Sequence, residues 1–195
     1  QTYFAIGSVG AGTGALTATL KGGLGSASFR LEDGTTVGAL VAANPVGSVT
    51  TPGNRHFHAA AFEVDSEFGG AGVDPVPGQG RVFTSLKTHI QVERGNTTIA
   101  IVATDAALDK AACHRMAVAA HDGIARACLP AHTPSDGDLV FALSTGGQTD
   151  GGPGPNLGLI GHAASLCLAR AIARAIHAAR PAQGDLLPCW GTLNG

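Results

Sequence analysis

Glycine and alanine constrain this chain more than any other feature: 29 glycines and 34 alanines make up about a third of its 195 residues. With so few large side chains to fill a wide gap, such a sequence builds a dense interior only where backbones approach closely. Hydrophobic residues still reach 44%, so apolar surface suffices for a core, and charged residues are only 13%, which excludes a disordered class. The glycines have no period of three, which excludes collagen, and they interrupt any lone coiled coil. A chain of this length is expected to form one domain and to bury roughly 70% of its unfolded surface.

The formal net charge is −2, and residues 1–96 and 97–195 each carry six Lys/Arg against seven Asp/Glu. Without a basic run, nucleic acid and anionic membrane are poor partners. Cys113, Cys128, Cys167 and Cys189 show no CxxC spacing and read as free thiols, mostly buried, of a cytoplasmic protein. No apolar run approaches the roughly 20 residues that span a bilayer. The N-terminus has neither Met nor a charged leader, and opens as if upstream material were missing.

Patterning predicts strands at 3–9, 15–20, 35–43, 97–103 and 138–143, with 57–64 as a further candidate. Ala-rich helical periods span 108–127 and 157–179, while 66–80 and 146–155 read as Gly/Pro loops and 81–93 fits either period. Strands and helices without clean alternation predict a layered α+β or α/β class.

Some motifs are weak. Gly10–Gly14 (GAGTG) lacks the spacing and the following helix of a nucleotide loop, so a tight turn is expected. His56 with His58, and His114 with His121, lack a third ligand at metal spacing. Neither a metal nor a cofactor is expected. There is no GxSxG elbow, and the Asn96-Thr97-Thr98 sequon stands alone.

The junction Asn96-Thr97 carries more chemistry. A loop ending in Gly95-Asn96 meets a hydroxyl residue that opens the clearest apolar strand. Cutting the Asn96–Thr97 bond would place the Thr97 hydroxyl beside its own α-amine. An α-amine with a pKa of about 7.7–8.0 is suited to taking the hydroxyl proton near neutral pH. This is the Thr/N-terminal-amine form of an activated nucleophile. By spacing alone, a Thr at a strand start equally fits a purely structural role.

The wider wording is more specific. The string GNTTIAIVATDAALDKAACHRMAVAAHDGIARA resembles the autocleavage segment of the DmpA-type amidohydrolases. This N-terminal-nucleophile family includes L-aminopeptidase/D-amidases and β-peptidyl aminopeptidases. The blocks GSVGAGTGA, KGGLGSAS, TVGALVAAN, DGDLVFALSTG and LIGHAASLCLARAIARAI resemble it in the same order over nearly the whole chain. The Thr after Asn and the Asp-x-Asp pair, where the aminopeptidases have Ser-x-Glu, look most similar to the nylon-oligomer hydrolase branch, which cleaves 6-aminohexanoate oligomers.

The resemblance implies a four-layer αββα sandwich, a self-cleaving amidohydrolase and a homotetramer. It also implies a first fragment, 1–96, lacking N-terminal precursor residues, and a second, 97–195. Position by position, Thr97 matches the nucleophile released after Asn96, and Asn44 the oxyanion donor. Lys21 matches a site lysine, and Asp136 and Asp138 the pair that orients the nucleophile. Each also has a plain reading: Asn44 as a strand-end turn, Lys21 as a turn lysine, the aspartates as turn caps. The substrate implied is a small linear amide oligomer. The alternatives are a β-peptidyl or D-amino-acid aminopeptidase and, from another class, a non-catalytic small-molecule-binding protein.

Overall fold

The computed structural model describes residues 3–78, 83–89, 95–146 and 154–195. Its frame is a four-stranded sheet in the order β1-β2-β3-β4, from β1 (Gly23–Arg30), β2 (Thr36–Asn44), β3 (Thr97–Thr104) and β4 (Leu139–Ser144). β1 to β3 are antiparallel neighbours, and β4 pairs parallel to β3. A parallel return needs a crossover, and α1 (Lys110–Ala127) supplies it between β3 and β4. α2 (Leu157–His177) follows, and a short α3 (Trp190–Asn194) closes the chain. The expected mixed α/β class is borne out.

Local chemistry sets the helix ends. The Asp109 carboxylate accepts from Ala112 N at the start of α1, and the Asn156 side chain accepts from Leu159 N at the start of α2. Both satisfy backbone donors that a first turn leaves free.

α2 is buried on nearly every side, between the sheet and α1. Its apolar residues Ile160, Leu168, Ile172 and Ile176 meet Val37, Val41 and Val102 from the strands and Met116 and Ile124 from α1 in one core. By length and composition α2 could cross a membrane, with mean hydropathy 1.4, which corrects the expectation that no apolar run approaches that length. Burial of 78% of its apolar window shows it instead as the core helix of this fold.

The small residues act here. A Cβ on Gly25 would stand 1.9 Å from Ala171 O, and one on Gly23 would stand 2.5 Å from Ala175 O. The same helix is met from its other side by Gly123 of α1, whose Cβ would lie 2.3 Å from Ser165 O. Glycine therefore sets how deeply α2 seats on β1 and α1. This also explains why β1 escapes strand patterning: GLGSASFR lacks β-branched residues because its inward positions touch helix backbone.

Three strand expectations are corrected. Residues 3–9 and 15–20 contribute only single bridges, Gly7 to Leu24 and Leu16 to Lys21, and 58–62 form a 3-10 turn. Thr17 explains the second case, since its hydroxyl bonds Leu20 O and accepts from Leu20 N, curling the segment. All four cysteines are free, and three are buried, with Cys113 half-buried. Residues 79–80 of the first Gly/Pro loop, 81–82 and 90–93 of the ambiguous segment, Arg94, and 147–153 of the second Gly/Pro loop lie outside the described residues.

The described residues thus form a helix layer on one face of the sheet. The far face carries Leu40, Ile99, Ile101, Phe141 and Leu143, all substantially exposed.

Candidate active site

Strand register places the site. β2 ends and β3 begins at the same edge, so Asn44 pairs directly with Thr97. On the other side of β3, Asn96 bridges Asp136 in parallel, just before β4. Thr97 therefore enters the sheet between Asn44 and the Asp136-Gly137-Asp138 turn.

With the Asn96–Thr97 bond intact, Thr97 Oγ1 donates to Asn96 O at 2.5 Å. The hydroxyl thus rests against the carbonyl it would attack. That carbonyl also accepts from Gly137 N at 2.9 Å. A backbone N–H aimed at a carbonyl oxygen stabilises the negative charge that develops there on attack. Gly137 has no Cβ for a reason: one would stand 2.8 Å from Thr97 Oγ1.

Asn44 lies opposite. Its Oδ1 accepts from Leu16 N and from the Lys87 ammonium, both at 2.9 Å, and its Nδ2 donates to Gly95 O at 2.8 Å. The amide donor thus faces the residue preceding the junction. A small cleft of about 140 Å³ opens here, walled by Asn44, Lys87, Leu16 and the Thr13-Gly14-Ala15 turn. The GAGTG turn is thereby part of the site's wall.

The two aspartates divide. Asp138 Oδ1 accepts from Thr98 N at 2.8 Å, fixing the first turn of chain after the nucleophile. Its Oδ2 and the Thr98 hydroxyl are buried without a hydrogen-bond partner among the described residues. His132 Nδ1 lies 2.9 Å from Asp138 Oδ2, which pairs charges when the imidazole is protonated but lacks hydrogen-bond geometry. Asp136 instead accepts from Val46 N through Oδ1 and from Thr133 N and Oγ1 through Oδ2. Its role is to hold the turn that aims Gly137. The expected pairing of both carboxylates with the Thr97 amine and hydroxyl belongs to the cut form; in this uncut arrangement neither carboxylate hydrogen-bonds Thr97.

Lys21 is also redirected. Its buried ammonium donates to Arg180 O at 2.9 Å and Asp185 Oδ1 at 2.6 Å, and no hydrogen bond links it to Thr97 or Asn44. That partner holds the Asp185 carboxyl below the usual range. The lysine at Asn44 is Lys87, which sequence reasoning missed because it sits in a segment of mixed periodicity. Gly137 was missed too, since its contribution is a backbone N–H that no side-chain pattern reports.

A hydroxyl residue thus opens an inner strand, with a backbone donor at its preceding carbonyl and a side-chain amide opposite. Residues 1–186 match peptidase family S58, and the chain belongs to that family. It is 46% identical over 190 residues to an uncharacterized aminopeptidase of Mycobacterium leprae, covering 92% of this chain and 51% of that one. An uncharacterized aminopeptidase of Mycobacterium tuberculosis is 42% identical over 192 residues, at 92% and 55% coverage. The chain thus spans about half the length of the curated relatives it matches.

Among solved structures, the PH0078 protein of Pyrococcus horikoshii OT3 superposes with a TM-score of 0.63 at 27% identity, covering 94% of this chain and 48% of that one. The L-aminopeptidase D-Ala-esterase/amidase of Ochrobactrum anthropi, described as a variant of the Ntn hydrolase fold, gives 0.61 at 24% identity, with 95% and 48% coverage. The latter likeness establishes the shared fold.

Proposed function

We propose that this chain forms the self-cleaving half of an aminopeptidase that uses Thr97 as an N-terminal nucleophile. One observation carries the proposal: the Asn96 carbonyl oxygen accepts hydrogen bonds from both the Thr97 hydroxyl and the Gly137 N–H.

In the first step Thr97 Oγ1 bonds to the Asn96 carbonyl carbon, and the C–N bond to Thr97 breaks. The hydroxyl proton goes to the departing Thr97 nitrogen, leaving an ester, while Gly137 N–H carries the oxyanion. Water then hydrolyses the ester, giving an Asn96 carboxylate and a free Thr97 amine and hydroxyl. In turnover the amine takes the hydroxyl proton, Oγ1 attacks a substrate amide, and Asn44 Nδ2 donates to the new oxyanion. The same amine returns the proton to the leaving nitrogen, and water releases the acyl group. Asp138 Oδ2, buried beside His132 and without a hydrogen bond among the described residues, supports a place for the charged amine close to the strand start.

Relatives named as aminopeptidases support release of N-terminal residues, and the resemblance to β-peptidyl aminopeptidases and D-amidases makes β- or D-amino-acid amides the proposed substrate class. Endo-cleavage of 6-aminohexanoate oligomers is the second reading, favoured only by the Thr nucleophile and the Asp-x-Asp spacing. Offering both substrate classes and measuring product lengths separates them, since single released residues support the first and internal fragments the second. Thr97→Ala is expected to give one uncut chain without amide hydrolysis. A Thr97→Ala chain that still splits after Asn96 defeats the proposal, and a wild-type chain that stays uncut favours a non-catalytic binding role.

A further inference from the structure

Lys87 is buried at 6% exposure, and its ammonium faces four oxygens: Leu16 O and Asn44 Oδ1 at 2.9 Å, and Asn44 O and Pro45 O at 3.1 Å. A lysine ammonium has three protons and no lone pair, so it suits a cage of acceptors and nothing else. Burying a charge is costly unless it is paired or well solvated by dipoles. Among the described residues no carboxylate bonds it directly, and the cage is mostly backbone. Burial lowers its pKa to about 8, against the opposing pull of the Asp136 carboxylate. Nothing in the nucleophile's own chemistry uses this expensive group.

Its effect falls on Asn44. Two donors, Lys87 Nζ and Leu16 N, converge on one end of the Asn44 amide. That end must be the oxygen, because flipping the amide would set its NH2 against an ammonium and a backbone N–H. The other end is then obliged to present its N–H groups toward the junction. Lys87 also binds Asn44 O and Pro45 O, so it fixes the backbone at the end of β2 as well as the side chain.

We propose that Lys87 is the positioning residue of the oxyanion donor: it locks the Asn44 amide in the one orientation that directs Nδ2 at the reacting carbonyl. Lys87 belongs to the same fragment as Asn44, so this lock survives the cut. The ammonium also ties the segment ahead of the junction to the end of β2, and Leu86 N and Lys87 N both donate to Ala18 O in the 15–20 stretch. A fixed donor costs no reorganisation during reaction, and removal of such a donor typically costs about 100- to 1,000-fold in kcat. Losing only its orientation is expected to cost about 10- to 100-fold.

The inference rests on Asn44 acting as donor, so the test carries that control. Full-length wild type, Asn44→Ala, Lys87→Met and Lys87→Arg are followed for self-cleavage on gels, for melting temperature, and for kcat and KM on an amide substrate. Wild type must cut and turn over. Failure of that, or an unimpaired Asn44→Ala, defeats the proposed function and with it this inference. If Asn44→Ala is impaired, Lys87→Met is expected to lower kcat by about 10- to 100-fold with KM within a few-fold, and Lys87→Arg, which keeps the charge, to recover part of the loss. Wild-type kcat in Lys87→Met, or a change confined to KM, overturns the inference. If Lys87→Met does not fold, the shorter Lys87→Gln, which removes the ammonium from the four-oxygen cage, decides in its place. A wild-type kcat in that variant overturns the inference.

Discussion

Gly25 and Gly137 are both glycines that leave no room for a methyl group, yet they belong to different kinds of structure. Gly25 presses β1 against the backbone of α2, and the atom its Cβ would strike is a main-chain oxygen inside a helix. Gly137 presses on a single hydroxyl at the tip of a side chain. The first obstacle cannot move without shifting two packed elements. The second turns away at little energetic cost, and in turning it ceases to be aligned. One glycine therefore guards the fold and the other guards the rotamer of a nucleophile. A close contact is structural or functional according to what stands on its far side.

This contrast can be broken by substitution, beginning with the largest effect. Gly25→Val is expected to lift α2 from β1 and cost upwards of about 3 kcal/mol, beyond ordinary overpacking because backbone, not a side chain, must yield. Urea unfolding measures it, and a midpoint near that of wild type would show that the layers can slide apart freely. Gly137→Ala should retain the N–H and almost all stability while slowing self-cleavage about 10- to 30-fold, or about 1.4–2 kcal/mol in barrier. Equal losses of stability from the two substitutions would erase the distinction.

The smallest effect is expected at Lys21 and Asp185. Asp185→Asn should lower the melting temperature slightly and leave kcat unchanged, in contrast with Lys87→Met. Because the folded Asp185 carboxyl titrates below its ordinary value, its contribution is fully present above about pH 3.9. It is lost as the pH falls through the lower folded value. Wild type and Asp185→Asn should therefore converge in stability in acid, and a gap that widens there would contradict the ion pair.

The sequence exposes some of this directly. TTIAIVA and TVGALVAA carry β-branched, apolar patterns, so β3 and β2 are legible, and their register then brings Thr97 opposite Asn44. The Ala-rich periods of α1 and α2 are equally plain. β1 is not, because the positions that would announce a strand are occupied by glycine for the sake of the helix above them. Of the residues the sequence singles out, Thr97, Asn44 and Asp138 lie together at the ends of their elements. Lys21 and Asp136 were placed at the right edge of the molecule, but tertiary partners claim their charges for a salt bridge and a turn. Lys87 and Gly137 were invisible for opposite reasons. The first acts from a segment without periodicity, and the second acts through a group that every residue but proline possesses.

The hydrogen bond from Gly137 to the Asn96 carbonyl has a consequence in time. Gly137 precedes β4, and β4 reaches β3 only by way of the α1 crossover, packed under α2. In a self-cleaving chain this bond forms only once β4 has docked beside β3. The cut would then be an irreversible receipt for correct folding. In any preparation the uncut fraction would count the molecules that have not yet arrived, and the intensity of one band would become a clock for the slowest step of assembly.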